Sequence, residues 1–344
     1  MEFLETKIPT NEQVAQMKVL YDSLDNVSIV QHPLWPTFSD FKSTRFFLIC
    51  NGGAVLAYTR VIESSLSYLK FIKTAEIRFG PISGNNDSVQ MLLEFITDWY
   101  IKKNFSKLLI QLPLDFKSED FIKEISSRVK TIGQKATILI DLSNGIANIE
   151  SNYSTNLKRN LRKASSLKLE VKEIVTSEEV QSFWNVYQKM TGVRKINFYT
   201  NADFNAIFNF LQSNNLGSLI GCFNDEGIIL GGLLLIKQGN KHEYFLGATD
   251  PDYRDLPQAH LTHHFAIRYL IDQGVKYYDF GGYRINPDET DQLYNINRFK
   301  LQFSKNIIQY PPKIEISLSA SFNAIADIYL KLASHIKNTL HNNS

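Results

Sequence analysis

The chain has 344 residues, of which 44% are hydrophobic and 21% are charged, a balance typical of a soluble globular protein with room for two domains. Its 37 basic and 35 acidic side chains leave a formal charge of +2, which argues against sequence-specific DNA binding. No apolar run approaches the ~20 residues of a membrane span, and the N-terminus is too polar for a signal peptide, so we expect a cytoplasmic protein.

The first half of the chain alternates predicted helices and strands. Two strands are predicted on either side of Asn51-Gly52, a strong hairpin signal. Apolar periodicity predicts the other elements, which are helices over 11–25, 88–104 and 121–130 and strands that end near Pro81, Pro113 and Ser143.

The second half repeats this order of elements. A helix is predicted to begin near Ser154, and turns at Asn224-Asp225 and Gly239-Asn240 separate three strands. The other predicted helices are 177–191, 202–213 and 257–273. We therefore predict a mixed α/β (α+β) fold with two tandem domains, 1–145 and 146–315, followed by an amphipathic helix and tail over 316–344.

The helix predicted near Ser154 is strongly basic. Lys158 and Arg162 lie four residues apart on it, as do Arg159 and Lys163. Like charges at this spacing destabilise a helix by a few tenths of a kcal/mol per pair, about 0.2–0.5 kcal/mol, so an anionic partner would offset the cost. Phosphates of a nucleotide, a lipid pyrophosphate or RNA would serve, and the alternative is a solvated basic face.

Two segments near the end of the second domain contain candidate site residues. In "YYDFGG", a buried strand ends near Asp279, with Gly281 and Gly282 after Phe280, which indicates a sharp bend or, alternatively, a simple turn cap. In "NRFKLQF", Lys300 lies in a strand-like run. It could hold a phosphate or an oxyanion there, or it could point outward from a half-exposed strand.

Sequence motifs for several other enzyme classes are missing. The chain has no phosphate-binding loop, dinucleotide-binding fingerprint or hydrolase nucleophile elbow. His260 and His264 have the i,i+4 spacing that can bind zinc, but no Glu or Cys lies beside them, so we predict no metal site.

In combination, these motifs resemble the Fem family of peptidoglycan bridge-forming aminoacyltransferases, which are built from two GNAT-like domains. The resemblance covers roughly residues 30–310 and is most specific at the strand–loop–basic helix junction and at the two closing motifs. The matching segments are "VQHPLWPTF" with Gln31 and Trp35, "RFGPI" with Arg78, "ATILIDLS" and "NLKRNLRKASSLKLEV", "YQKMTGVRKINFY" with Thr191 and Arg194, "YYDFGG", and "RFKLQFSK".

This resemblance implies transfer of an aminoacyl group from aminoacyl-tRNA to an amino group of a nucleotide- or lipid-linked muramyl peptide. Lys300, after Phe299, would handle a substrate phosphate or the transition state. An aminoacyl ester is already activated, so the reaction requires no metal or organic cofactor, and Asp279 is our candidate for deprotonating the amine. The resemblance also implies substrate-binding roles for Phe299, Arg194, Thr191, Tyr244, Trp35 and Arg78, and phosphate or tRNA binding by Lys158, Arg159, Arg162 and Lys163.

The sequence also departs from the family pattern, and two alternative functions stay open. Ser39 stands where the family often has a lysine. An acyl-CoA-dependent N-acyltransferase is one alternative, although "YRDLPQAH" has Pro257 where a pyrophosphate loop needs a glycine N–H. The other is a GNAT-like protein that binds a sugar peptide or RNA without catalysis.

Overall fold

The computed structural model describes residues 1–37, 43–65, 70–114, 116, 129–194 and 199–319. The chain forms two compact units, one built from 1–134 together with the residues from 311 onward, and the other from 135–310. Ser39, most of the helix predicted over 121–130 and most of the predicted C-terminal helix lie outside the described residues.

The first unit contains one mixed sheet and two described helices. The strand order is β1-β2-β3-β4-β6-β15-β7, with the short β5 beside β3, and β4/β6 is the parallel pair. The strands are β1 Glu2–Thr6, β2 Ser43–Asn51, β3 Ala54–Ser65, β4 Lys73–Arg78, β5 Ile82–Ser83, β6 Lys107–Gln111, β7 Val129–Thr131 and β15 Ile314–Ser317, and the helices are α1 Asn11–Asp22 and α2 Asn86–Lys102.

Local sequence explains where these elements begin and turn. Thr10 and Gln13 form a capping box at the start of α1, and the Asn85 side chain accepts from the Ser88 N–H at the start of α2. The β2–β3 hairpin turns through Gly52 and Gly53, both with positive φ, as the Asn51-Gly52 signal predicts. The helix faces bury Leu, Ile and Tyr side chains against the sheet.

Gln31, from the "VQHPLWPTF" motif, joins three parts of the first unit. Its Nε2 donates to the carbonyls of Arg60 (3.2 Å) and Arg78 (2.9 Å), and its Oε1 accepts from the Arg60 N–H at 2.8 Å. A Cβ at Gly80 would lie 2.9 Å from the Gln31 amide, so only glycine fits beside it. The Gln-x-x-x-Trp and Arg-Phe-Gly-Pro motifs therefore meet through Gln31.

The second unit has the same kind of sheet with more helices. The strand order is β14-β8-β13-β12-β11-β10-β9, and β12/β13 is the parallel pair. The strands are β8 Ala136–Asp141, β9 Glu170–Glu173, β10 Gly217–Phe223, β11 Ile229–Gln238, β12 Lys241–Thr249, β13 Tyr277–Tyr283 and β14 Ile307–Gln309. The helices are α3 Gly145–Ser151, α4 Thr155–Ser165, α5 Ser177–Arg194, α6 Asn201–Ser213, α7 Gln258–Asp272 and α8 Gln292–Lys300.

The parallel pair of the second unit is hydrogen-bonded along only part of its length. Strands β12 and β13 pair from Lys241 opposite Tyr277 to Glu243 opposite Asp279. Beyond Glu243, β12 continues to Thr249 without further pairing to β13, although it stays paired with β11 on its other side. Glu243 and Asp279 are therefore the last residues at which the two strands pair.

Several details of the fold differ from the sequence expectations. The predicted boundary at 145/146 falls inside the second unit, because β8 pairs with β13 and β14 there. The residues that follow the predicted boundary form α3, and 129–130 belong to β7 rather than to a helix. Lys300 ends helix α8 rather than lying in a strand, although the other predicted elements among the described residues are confirmed within a few residues.

Within the described ranges, the longest helices are too short or too polar to cross a bilayer.

The Gln31 contacts generate a stability prediction for the first unit. We expect Gln31→Leu to lower the free energy of unfolding by about 1–3 kcal/mol, because buried backbone groups of β3 and β4 lose their partners. Urea unfolding measures this change. Gln90→Leu, which removes a surface bond to Glu94, is the control and should change stability by less than about 0.5 kcal/mol. Equal effects of the two substitutions would contradict this role of Gln31.

Candidate active site

A β-bulge in β13 defines the geometry of the site. Asp279 pairs with Leu139 and Gly282 pairs with Thr137, so β13 contains one extra residue relative to β8. Gly281 has a φ of 65°, and a Cβ there would lie 3.0 Å from the Tyr244 carbonyl oxygen. The close approach and the positive φ explain why the motif needs glycine at this position.

Asp279 holds this bulge in place. Its side chain is buried, and its Oδ1 accepts from the Gly281 N–H at 2.9 Å and from the Thr137 hydroxyl. Its Oδ2 accepts from the Lys241 ammonium at 2.7 Å. The Asp279 side chain therefore links β8, β12 and the bulge of β13, which is more than the turn cap that the sequence offered as the alternative.

Lys300 reaches the same bulge from helix α8. Its Nζ donates to the carbonyl oxygens of Gly281 at 3.0 Å and Gly282 at 2.7 Å, and the residue is 6% exposed. One turn earlier, Asn297 Nδ2 donates to the Arg284 carbonyl at 2.7 Å and its Oδ1 accepts from the Arg284 N–H at 3.2 Å. These contacts fix α8 to the end of β13, so Lys300 points inward and the outward-facing alternative is wrong.

Glu243 is a further acidic residue of the site, and the sequence analysis does not include it. It lies directly opposite Asp279 in the parallel pairing, and its Oε1 is 3.5 Å from the position of a Cβ at Gly281. Its other oxygen accepts from the side chain of Gln238. Sequence spacing could not identify Glu243, because its proximity to Asp279 depends on the register of two strands far apart in the chain.

The charges of the site shift the pKa values of two groups toward neutral pH. Burial and the nearby Asp279 charge raise the pKa of Glu243 to about 7, although Lys241 and Lys300 oppose this change. Burial lowers the pKa of Lys300 to about 8 despite the carboxylates of Asp279 and Glu243. The site therefore contains an acid and an amine that both titrate near neutral pH, as groups that transfer protons commonly do.

Aromatic side chains form one side of the site. Tyr244 contacts His263 edge to face, with a centroid distance of 4.6 Å, and lies over Gly247, where no side chain would fit. Phe299 packs against His263 at 5.4 Å and against Phe303 at 5.5 Å. Burial lowers the pKa of His263 to about 3, so this histidine is neutral and serves as a ring in the wall.

Comparison with known proteins identifies the fold of the second unit. Residues 151–294 match the model of the acetyltransferase (GNAT) domain, and this stretch lies within the second unit. A lipid II:glycine glycyltransferase of Staphylococcus epidermidis is 42% identical over 76 residues, which are 22% of this chain. The matched stretch is 18% of that protein, so the chain spans less than a fifth of the length of this relative.

Solved structures extend the likeness to the whole fold. The crystal structure of FemX has a TM-score of 0.76 with this chain at 15% identity, covering 94% of this chain and 100% of FemX. A tandem GNAT protein from the clavulanic acid biosynthesis pathway has a TM-score of 0.52 at 12% identity, covering 92% and 98%. The sequence match to the glycyltransferases confirms the predicted resemblance over those 76 residues. The predicted mixed α/β fold with two GNAT-like units is confirmed as well.

Helix α4 displays the predicted basic face. The Ser154 side chain caps the helix, Leu157 and Ala164 are buried, and the four cations are exposed. These four side chains bond to carbonyl or amide oxygens: Lys158 to Ser151, Arg159 to Asn156, Arg162 to Lys158 and Lys163 to Asp255. Among the described residues, none of the four pairs with a carboxylate.

Arg194 and Thr191, the other predicted residues of the second unit, are both on α5. Arg194 is the exposed last residue of α5, and its charge partly opposes the burial that raises the pKa of Tyr244 to about 12. Thr191, one turn earlier, is buried and donates to the Gln188 carbonyl at 3.1 Å. The structure therefore brings Arg194 close to Tyr244, while the Thr191 hydroxyl is already bonded within its helix.

Trp35 and Arg78 lie in the first unit. Trp35 is buried, and its carbonyl oxygen accepts from Arg60 Nη1 at 2.6 Å. Arg78 forms an ion pair with Glu76 at 2.9 Å, and its carbonyl oxygen accepts from Gln31. These contacts lie within the first unit, and the predicted role of both residues in substrate binding stays a prediction.

The histidine pair on α7 has protein contacts of its own. His260 Nε2 lies 3.4 Å from Asn160 Nδ2, and His264 Nδ1 lies 3.4 Å from the Tyr153 hydroxyl. In the part of the chain that the structure describes, no group of three metal-binding side chains comes together.

The buried ion pair gives a second stability prediction. We expect Asp279→Ala to destabilise the protein by about 3–5 kcal/mol, because it leaves the Lys241 ammonium buried without its partner. The double variant Asp279→Leu/Lys241→Met should recover most of this loss, since no unpaired charge remains. Urea unfolding of the single and double variants tests the coupling. A single variant as stable as the native chain would show that the pair is not buried in solution.

Proposed function

We propose that this protein is an aminoacyltransferase that moves an aminoacyl group from aminoacyl-tRNA to an amino group of a peptidoglycan precursor. The observation that carries the proposal is Lys300, a buried lysine held by two glycine carbonyls at a bulge beside two carboxylates. The GNAT match over 151–294 and the similarity to lipid II:glycine glycyltransferases support acyl transfer to this class of acceptor.

Lys300 is suited to stabilising negative charge in the transition state. An ammonium has three N–H donors, and the two carbonyl contacts of Lys300 leave one for a substrate oxygen. When an amine attacks the ester carbonyl, its oxygen becomes an oxyanion, and a donor fixed in advance stabilises this charge without reorganisation. Asp279 then acts as a positioning residue, because it holds the bulge whose carbonyls orient Lys300.

The basic helix supports an anionic carrier for one of the substrates. Its four exposed cations are available to phosphates, and Ser154 and Asn156 at its start bond to Gln302, two residues after Lys300. In this proposal, α4 binds the tRNA backbone or the phosphates of a nucleotide- or lipid-linked muramyl peptide. Arg194, Tyr244, Thr191, Phe299, Trp35 and Arg78 keep their proposed roles in binding the substrates.

An acyl-CoA donor is the second candidate, because the matched family model is an acetyltransferase domain. Pro257 is the N-cap residue of α7 and makes no side-chain cap, at the point where a CoA pyrophosphate would approach in such a domain. Proline has no N–H to donate, which weakens the candidate site for a pyrophosphate. The deciding experiment offers labelled aminoacyl-tRNAs and, separately, acyl-CoAs, with muramyl peptides as acceptors, and identifies the product by mass spectrometry.

The role of Lys300 predicts the effect of removing its charge. We expect Lys300→Met to lower kcat by at least about 10²–10³-fold, the usual cost of losing an oxyanion donor, because the side-chain volume is kept while the donor is lost. Single-turnover transfer from aminoacyl-tRNA measures the loss. Lys305→Met, an exposed lysine on the same segment, is the control and should retain native turnover. A Lys300 variant within about threefold of native would contradict the proposal.

The basic helix predicts a change in the salt dependence of tRNA binding. We expect Lys158→Ala/Arg162→Ala to reduce the slope of log Kobs against log salt concentration by about 1.5, if each side chain contacts one phosphate. Filter binding with uncharged tRNA over a range of salt concentrations measures this slope. Lys237→Ala/Lys276→Ala removes two exposed lysines of the same unit and serves as the control. Identical slopes for both double variants would mean that α4 does not contact the tRNA.

A further inference from the structure

The proposed reaction needs a group that accepts the proton of the attacking amine, and Asp279 is poorly placed for this. Its Oδ1 accepts from Gly281 N and Thr137, its Oδ2 accepts from Lys241, and the residue is 1% exposed. A substrate amine would have to displace one of these donors and enter a closed space. Both carboxylate oxygens of Asp279 are therefore already hydrogen-bonded within the fold.

Glu243 is less enclosed by the fold than Asp279. It is partly exposed and lies where the pairing of β12 and β13 ends. One oxygen accepts from Gln238, while Oε1 faces Gly281 and has no donor within hydrogen-bonding distance among the described residues. The free oxygen of Glu243 and the nitrogen of Lys300 thus approach the same glycine of the bulge from different elements.

We propose that Glu243 accepts the proton of the attacking amine and that Lys300, as an ammonium, returns a proton to the departing ribose oxygen. This inference rests on the proposed function. The amine nitrogen forms a bond to the ester carbonyl carbon, and the bond from that carbon to the ribose oxygen breaks. The amine loses one proton to Glu243, and the ribose oxygen gains one from Lys300. Proton transfer from Glu243 to Lys300 then restores both groups, with no oxidant or other reactant.

The charges around Glu243 are consistent with this assignment. It faces Lys241 on its own strand, Asp279 on β13, Lys300 on α8 and Tyr310 after β14. The reaction requires Glu243 as a carboxylate, and with a pKa of about 7 this form prevails above pH 7. It also requires Lys300 as an ammonium, and with a pKa of about 8 this form prevails below pH 8. We therefore expect kcat at saturating substrates to have a maximum between these two values.

The kinetic test replaces Glu243 with Gln. We expect a loss of about 10²–10⁴ in kcat and loss of the acidic limb of the pH profile, with partial recovery in Glu243→Asp. Hydroxylamine as the acceptor is neutral and strongly nucleophilic, so its transfer rate should fall far less in Glu243→Gln. Glu173→Gln, in a partly exposed glutamate that bonds to Tyr269, is the control. Equal losses with both acceptors, or an unchanged acidic limb, would overturn the inference.

A second measurement does not depend on the donor or on turnover. The carboxyl carbon signal of Glu243, assigned by comparison with Glu243→Gln, should titrate near pH 7 by NMR and shift toward lower pH in Asp279→Asn. A midpoint below about 5, as for an ordinary glutamate, would overturn the inference whatever the substrate. A different outcome would separate the two proposals: Glu243 titrates near pH 7, its replacement abolishes transfer from acyl-CoA, and no aminoacyl-tRNA reacts. That outcome would support Glu243 as the base and contradict aminoacyl-tRNA as the donor.

Discussion

The buried carboxylate of Asp279 is the contact on which the candidate site depends. It accepts from a strand hydroxyl, a lysine of β12 and the backbone N–H of Gly281, so one side chain sets the shape of the bulge. The bulge in turn directs the carbonyls of Gly281 and Gly282 toward Lys300. A charge this deeply buried is costly unless it is paired and bonded, and here the pairing partner and the bulge supply those bonds.

Burial also explains why the pKa values of the other two charged groups of the site, Glu243 and Lys300, lie near neutral pH. Lys241 and Asp279 form a tight pair, and that pairing holds the pKa of Lys241 above its ordinary value despite the cost of burial. Glu243 and Lys300 do not form such a pair, so burial acts on each with less opposition and brings their pKa values together. The Lys241–Asp279 pair therefore has a structural role, while Glu243 and Lys300 can change their protonation states at neutral pH.

Local sequence predicts the parts of the fold that local interactions determine. Asn51-Gly52 marks its hairpin and Ser154 its helix start, since turn conformation and capping involve neighbouring residues. The conformation at Lys300 is harder to predict from the sequence, because the alternation in "FKLQF" fits a strand. In the structure, Asn297 bonds to the Arg284 backbone and holds the end of helix α8, where Lys300 lies. The domain boundary and Glu243 depend on which distant strands pair, and no short segment encodes the pairing of β8 with β13 or of Glu243 with Asp279.

A comparison of the two parallel strand pairs indicates why one unit would act as the transferase. In the first unit, β4 and β6 pair from Thr74 to Arg78, the end of β4, and the Gly80 N–H adds a further bond to the Gln111 carbonyl. In the second unit, the corresponding pair ends at Glu243 and Asp279 while both strands continue. The GNAT match over 151–294 falls on the unit whose parallel pairing ends early, which is where the buried lysine and the two carboxylates meet.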